Sequence, residues 1–238
     1  MQHYLATIGL APILIVQGLY VRCVTPRLPE PPGERSGING SGPPLSLLIL
    51  GDSAAAGVGV STQNQALSGQ LVSALASDFQ VSWKLMAQTG DKAKEVAAKL
   101  ETASPEKFEV VVTSIGVNDV THGTMTKTWI DQQARIIELL RSKFHSQHII
   151  LSSLPPMHLF PALPQPLRWY LGIRAKRLNS ALKNFVEVCK QCEFVTTDFP
   201  LDAEYMAADG FHPGALAYSV WGNHVAGIIR SRLALTVF

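Results

Sequence analysis

The sequence predicts a three-layer α/β/α domain built on a five-stranded parallel sheet, and three observations carry that prediction. Five short apolar runs recur from residue 45 onward, segments of helical periodicity separate them, and the polar residues with chemical potential follow the runs rather than precede them. Parallel strands need long crossover connections, which helices supply, and ligands in such sheets gather beyond the carboxyl ends of the strands.

In chain order, the first element is an apolar segment, residues 1–24, in which Leu5–Val21 is a run of 17 residues without charge, interrupted by Pro12 and Gln17. That length is at the lower limit for a bilayer span. Basic residues, Arg22 and Arg27, come only after it, and the run lacks the positive leader and small-residue cleavage site of a secretory signal. The expectation is a membrane anchor that leaves the following domain in the cytoplasm, on the cytoplasmic face. The alternatives are an apolar helix packed on the protein itself and an export signal. Residues 25–44, rich in Pro, Gly and Ser, read as a linker.

The catalytic-type domain is expected over 45–238. Leu45–Leu50, Val81–Ala87, Val110–Ile115, His148–Leu154 and Phe194–Thr197 are short apolar runs of the kind buried parallel strands show. Helical patterns lie at about Asn64–Ser77, Lys92–Ala103, Lys127–Phe144, Leu167–Lys190 and Gly214–Ala234.

Composition narrows the function. With 20 basic and 18 acidic side chains the net charge is +2, and no basic run stands out, which argues against nucleic acid as the main partner. Cys23, Cys189 and Cys192 cannot all pair within one chain and make no secreted disulfide framework. Cys189 and Cys192 form a C-x-x-C without a second pair or a neighbouring histidine, and read as two semi-buried thiols. His145 and His148 have no carboxylate close in sequence, and H-E-x-x-H is absent, so no metal is expected. Gly57-Val58-Gly59 lacks the Lys-Ser/Thr of a phosphate loop, and His224 reads as a structural histidine facing the core.

The residues that carry chemistry all follow strands. Ser53 comes after the first through Gly51-Asp52-Ser53, Gly90 after the second, and Gly116-Val117-Asn118-Asp119 after the third. Asp209 and His212 follow the fifth by a dozen residues, enough for a loop to reach the same rim. A serine hydroxyl is a poor nucleophile at neutral pH without a base in hydrogen-bond reach. His212 fits that base, Asp209 can orient its ring, and Pro213 suits the first turn of the last helix. The N–H groups of Ser53 and Gly90 and the Asn118 side-chain amide fit an oxyanion hole. Asp52 and Asp119 read as loop-tying carboxylates.

These blocks, Gly51-Asp52-Ser53 with Gly57, then Gly90, then Gly116-x-Asn118-Asp119, then Asp209-x-x-His212, resemble in order and spacing the four sequence blocks of the SGNH/GDSL hydrolases. The resemblance runs from about residue 45 to the end. It implies a flavodoxin-like fold and cofactor-free hydrolysis of esters, with Ser53 as nucleophile, His212 as base, Asp209 as its partner, and Gly90 with Asn118 as oxyanion donors. Ala54 departs from the leucine of the family name, at a site that varies among related enzymes.

The substrate is read from Pro155–Tyr170, an apolar, aromatic, proline-rich stretch after the fourth strand. It is expected to wall an acyl pocket with Leu159, Phe160 and Trp169, the alternative being a hydrophobic loop packed on the sheet edge. The expected activity is a serine esterase acting on small-molecule carboxylic esters of short to medium acyl chains through an acyl-enzyme. Acyl transfer, lysophospholipase or thioesterase chemistry on the same triad, and a non-enzymatic binding module, are the alternatives.

Overall fold

Hydrophobic alternation in the strand that leads to Ser53 explains the layering. In a computed structural model, which describes residues 2–196 and 202–234, Leu47 and Ile49 are buried on one face of this strand and Leu48 and Leu50 on the other. Successive strand side chains point to opposite faces, so a run of apolar residues requires cover on both.

The elements in chain order are α1 (Gln2–Val24), β1 (Ser36–Asn39), β2 (Pro44–Gly51), α2 (Ser53–Ala56), α3 (Leu67–Leu75), β3 (Gln80–Ala87), α4 (Ala93–Thr102), β4 (Val110–Ser114), α5 (Val117–Thr121), α6 (Thr126–Ser142), β5 (His148–Ser152), α7 (Leu167–Glu187), β6 (Cys192–Val195) and α8 (Ala215–Ala234). Among the described residues the sheet has six strands in the order β1-β3-β2-β4-β5-β6, all neighbours parallel except β1, which pairs antiparallel with β3. Five expected strands are therefore present, although Thr197, the expected end of the fifth, lies outside the described residues.

The sixth strand corrects the expected sheet. Ser36-Gly37-Ile38-Asn39 sits in the stretch expected to be a linker, and Ile38 is exposed, so the strand has no buried stripe to announce it. Its hold on the sheet is the backbone ladder to β3 and the bond from Trp83 Nε1 to Asn39 Oδ1 (2.8 Å). The rest of 25–44 also lies against the domain: Gln63 N–H donates to Pro32 O (3.0 Å), and Leu85 N–H to Arg35 O (2.7 Å).

Helices α3 and α8 cover one face, with Leu67, Leu71 and Leu75 meeting Tyr218, Trp221, Val225 and Ile229. Helices α4, α6 and α7 cover the other with Val96, Leu100, Ile136, Leu140, Leu178 and Leu182. Spacings of three and four residues put each set on one helical face. Each leucine buried in this way contributes about 2 kcal/mol relative to exposure. Because the helix after β2 lies on one face and the helix after β3 on the other, a crevice opens at the carboxyl end of β2, where such sheets bind ligands.

Helix α1 lies on the domain. Leu10, Leu14 and Val21 pack on the second face, while Gln17 donates to Gln165 O (2.6 Å) and accepts from Leu167 N–H (3.0 Å). Among the described residues no helix is long and apolar enough to cross a membrane. The packed-helix alternative thus describes its inner side.

Three further expectations change. Cys189 and Cys192 are joined in a disulfide rather than held as thiols, the turn between α7 and β6 bringing their Cα atoms to 5.3 Å. His148 does have a carboxylate neighbour, Glu193 at 2.8 Å, supplied by the adjacent strand. His224 is exposed on α8, not turned to the core.

Candidate active site

Ser53 owes its position to a short capped helix. Asp52, extended at φ −101°, accepts the Ala54 N–H (3.1 Å) and so starts α2 at Ser53. Gly57 ends it at φ +88°, where a Cβ would come within 2.4 Å of the Ala66 Cβ, so only glycine fits. The turn is tied to both neighbouring strands, through Asp52 N–H to Ser114 O (3.0 Å) and Gln88 N–H to Gly51 O (3.2 Å). The serine is thereby raised above the carboxyl end of β2.

The loop before α8 brings the imidazole to it. His212 Nε2 lies 3.0 Å from Ser53 Oγ, and His212 Nδ1 lies 2.5 Å from Asp209 Oδ2. The other Asp209 oxygen accepts the backbone N–H groups of Phe211 and His212, each at 2.9 Å. Burial pushes the Asp209 carboxyl up, yet the His212 ring and these N–H groups outweigh it and hold the acid below the usual carboxylate range. Asp209 therefore stays ionised, and the Nδ1–H tautomer it favours leaves Nε2 free to accept a proton. Pro213 is not in the first turn of α8, which begins at Ala215; it bridges Met206, and Ala207 N–H donates to His212 O (2.9 Å). A loop bridge, rather than a helix start, fixes the histidine.

The expected oxyanion residues follow β3 and β4. Gly90 has φ +90°, with no atom within 4 Å of where a Cβ would be. Asn118, in α5, gives one N–H of its amide to Asp91 O (2.9 Å), which braces the residue after Gly90 and leaves a second N–H. Asp119 accepts the Ala93 N–H (2.9 Å) and ties α5 to the start of α4, as a supporting carboxylate should. Burial pushes the Asp119 carboxyl up against that bond. Asp52 is almost wholly buried, and burial pushes its carboxyl up to about 7 despite the Ala54 and Gly116 N–H groups.

Beside Ser53 and His212 is a cavity of about 50 Å³ lined by Val117, Pro155, Phe160, Met206, Phe211 and Trp221 among others. Phe160 is one of the three expected pocket residues and lines it. Leu159 is half exposed and Trp169 lies on the first turn of α7, and neither lines the cavity. Within the proline-rich stretch Phe160 reaches the cavity together with Pro155; Phe160 meets Phe211 edge-on at 5.1 Å, and Phe211 in turn meets the His212 ring at 5.4 Å. Sequence reasoning missed Phe211 and Met206. Phe211 adjoins His212 in the fourth block, a signal that could have found it; Met206 has none.

Comparisons with known proteins identify the family. The model of the GDSL-like Lipase/Acylhydrolase family matches residues 49–220. The chain belongs to that family and is a carboxylic ester hydrolase. A GDSL-like esterase of Mycobacterium tuberculosis is 24% identical over 239 aligned positions, covering 90% of this chain and 75% of that one. Among solved structures, a lipolytic protein of the G-D-S-L family from Veillonella parvula superposes with a TM-score of 0.62 at 15% identity, covering 79% and 99% of the two chains. The lipase Lip_vut3 from a goat rumen metagenome does so with a TM-score of 0.60 at 19% identity, covering 77% and 97%. The six-stranded three-layer fold is that of SGNH hydrolases.

Proposed function

We propose that the protein is a serine esterase in which Ser53, His212 and Asp209 hydrolyse small carboxylic esters of short to medium acyl chains through an acyl-enzyme. The observation that carries this reading is the 3.0 Å approach of His212 Nε2 to Ser53 Oγ with Asp209 on the other ring nitrogen. Ser53 Oγ attacks the ester carbonyl while His212 Nε2 takes its proton, and the resulting imidazolium is held by Asp209. Negative charge on the carbonyl oxygen is met by the N–H groups of Ser53 and Gly90 and the second Asn118 amide N–H. As the C–O bond breaks, His212 returns the proton to the departing alkoxide. Water then enters by the same base, and the acid leaves with Ser53 restored.

The small cavity behind Phe160 favours the short end of the acyl range, since its volume is close to that of one or two water molecules. Hydrolysis of p-nitrophenyl acetate and butyrate by the full chain, and a loss of at least about 10³-fold in Ser53→Ala, is the expected result. Equal release by wild type and variant would contradict it.

We further infer that the protein associates with a membrane surface through α1. The inner side of this helix is on the domain, whereas Ile15, Val16, Leu19 and Tyr20 are exposed on the outer side, with Arg22 and Arg27 next to them. An apolar face bordered by cations suits the lipid interface. The cytoplasmic face is the side proposed. Protease treatment of intact cells with the outer leaflet exposed tests the side: resistance of the full chain supports the cytoplasmic face, and cleavage contradicts it.

A further inference from the structure

The tip of the loop that carries Gly90 is exposed, while its ends are tied by Gln88 N–H to Gly51 O (3.2 Å) and Asp91 N–H to Gln88 O (3.3 Å). Gly90 is exposed, and the space around it is open, so side-chain contacts do not fix the direction of its N–H. Its orientation depends on what holds residues 89 and 91. On one side Asn118 holds Asp91 O (2.9 Å). On the other side the holder comes from the segment before the sheet, remote in sequence from every block of the site. Glu30 Oε1 accepts both the backbone N–H (2.7 Å) and the hydroxyl (2.8 Å) of Thr89. Glu30 Oε2 accepts from Arg35 Nη1 (3.0 Å), and Arg35 Nη2 donates to Ala87 O at the end of β3.

The same segment also grips the serine turn. Pro31 is buried with its ring against Gly57, where a Cβ would come within 3.1 Å of Pro31 Cγ. Gln63 Nε2 donates to Pro31 O (3.3 Å) and to Ala56 O (2.9 Å), joining the strap to the last residue of α2. One short stretch therefore touches the two loops that carry Ser53 and Gly90.

We propose that Glu30 is a positioning residue for ester hydrolysis: through Thr89 it aims the Gly90 N–H at the oxyanion formed on the Ser53 adduct. The inference rests on the Ser53 and Gly90 reading above. The peptide plane that contains the Gly90 N–H begins at the Thr89 Cα and carbonyl, so anchoring Thr89 at its N–H and hydroxyl fixes the point from which that plane extends. A carboxylate suits the task because it accepts two donors from one residue on a single oxygen while the other is balanced by Arg35. Burial pushes the Glu30 carboxyl up, but the Thr89 N–H and hydroxyl and the Arg35 guanidinium hold it below the usual range, so it is ionised at neutral pH.

The test is steady-state hydrolysis of p-nitrophenyl acetate by full-length wild type, Glu30→Ala, Glu30→Gln and Thr89→Ala, each below its melting temperature. Loss of a whole oxyanion donor costs about 10²–10³-fold; a misaimed one should cost less. Glu30→Ala is expected to lower kcat about 10- to 100-fold with KM within about twofold, because the donor acts on the transition state. Glu30→Gln, whose amide oxygen can still accept the Thr89 N–H, should recover most of the loss. Thr89→Ala, which keeps the N–H and loses the hydroxyl, should lower kcat by a smaller factor, and it decides the matter if Glu30→Ala does not fold. Wild-type kcat in Glu30→Ala, or in Thr89→Ala where that variant must decide, would overturn the inference and leave the esterase reading intact. So would a loss in KM alone, or one that Glu30→Gln does not relieve. No turnover by wild type would sink the Ser53 reading and this inference with it.

Discussion

Asp52 shows how one residue serves both the fold and the site. It caps α2 so that Ser53 is presented, and it reaches the Gly116 N–H that precedes Asn118. Its carboxyl rises from an ordinary 3.8 to about 7 through burial. Between those values the folded chain holds a proton that the unfolded chain releases, so the stability from this group is full at low pH and falls as pH rises toward about 7. Asparagine can accept the same N–H groups and never ionises. The melting temperature of Asp52→Asn relative to wild type should therefore be more favourable at pH 8 than at pH 5, and an identical difference at both would contradict the assignment. At this scale Ser53, Asp209 and His212 were legible because their chemistry demands fixed residue types after particular strands. Glu30 was not, since its partner Thr89 lies 59 residues later in the chain, after β3, and nothing in a Pro-rich stretch signals a carboxylate directed at a loop.

At the scale of elements, the strands that face two layers announce themselves and the edge strand does not. The five apolar residues of Leu45–Leu50 are all buried, whereas Ser36–Asn39 makes its backbone ladder with a mostly exposed surface. The proline-rich stretch was legible as a wall but not in its orientation: Phe160 turns in toward Phe211, while Leu159 faces solvent, a choice made by the loop carrying His212. Phe160→Ala should open the cavity behind Ser53. The ratio of p-nitrophenyl hexanoate to acetate turnover is expected to rise about 10-fold, in keeping with what added methylenes are worth in an apolar pocket. An unchanged chain-length profile would mean that Phe160 does not bound the acyl group.

For the whole molecule, the sheet supplies a rim and the segments before it supply the brace. Residues 1–24 and 25–44 read as an anchor and a linker because proline, glycine and a featureless apolar run resemble a tether, yet α1 and the segment that holds Glu30 and Arg35 pack on the domain. The outer side of α1 remains the surface proposed to meet lipid. Full-length protein should sediment with vesicles containing anionic lipid, and Leu19→Glu should weaken that binding several-fold with ester turnover kept; recovery of wild type in the supernatant would contradict surface attachment. The central claim is that Ser53 is a nucleophile activated by His212. It is tested most directly by treating the full-length protein with a fluorophosphonate and locating the adduct by peptide mass. The adduct is expected on Ser53, absent in Ser53→Ala and formed far more slowly in His212→Ala, whereas no adduct on Ser53, or an unchanged rate in His212→Ala, would contradict the account.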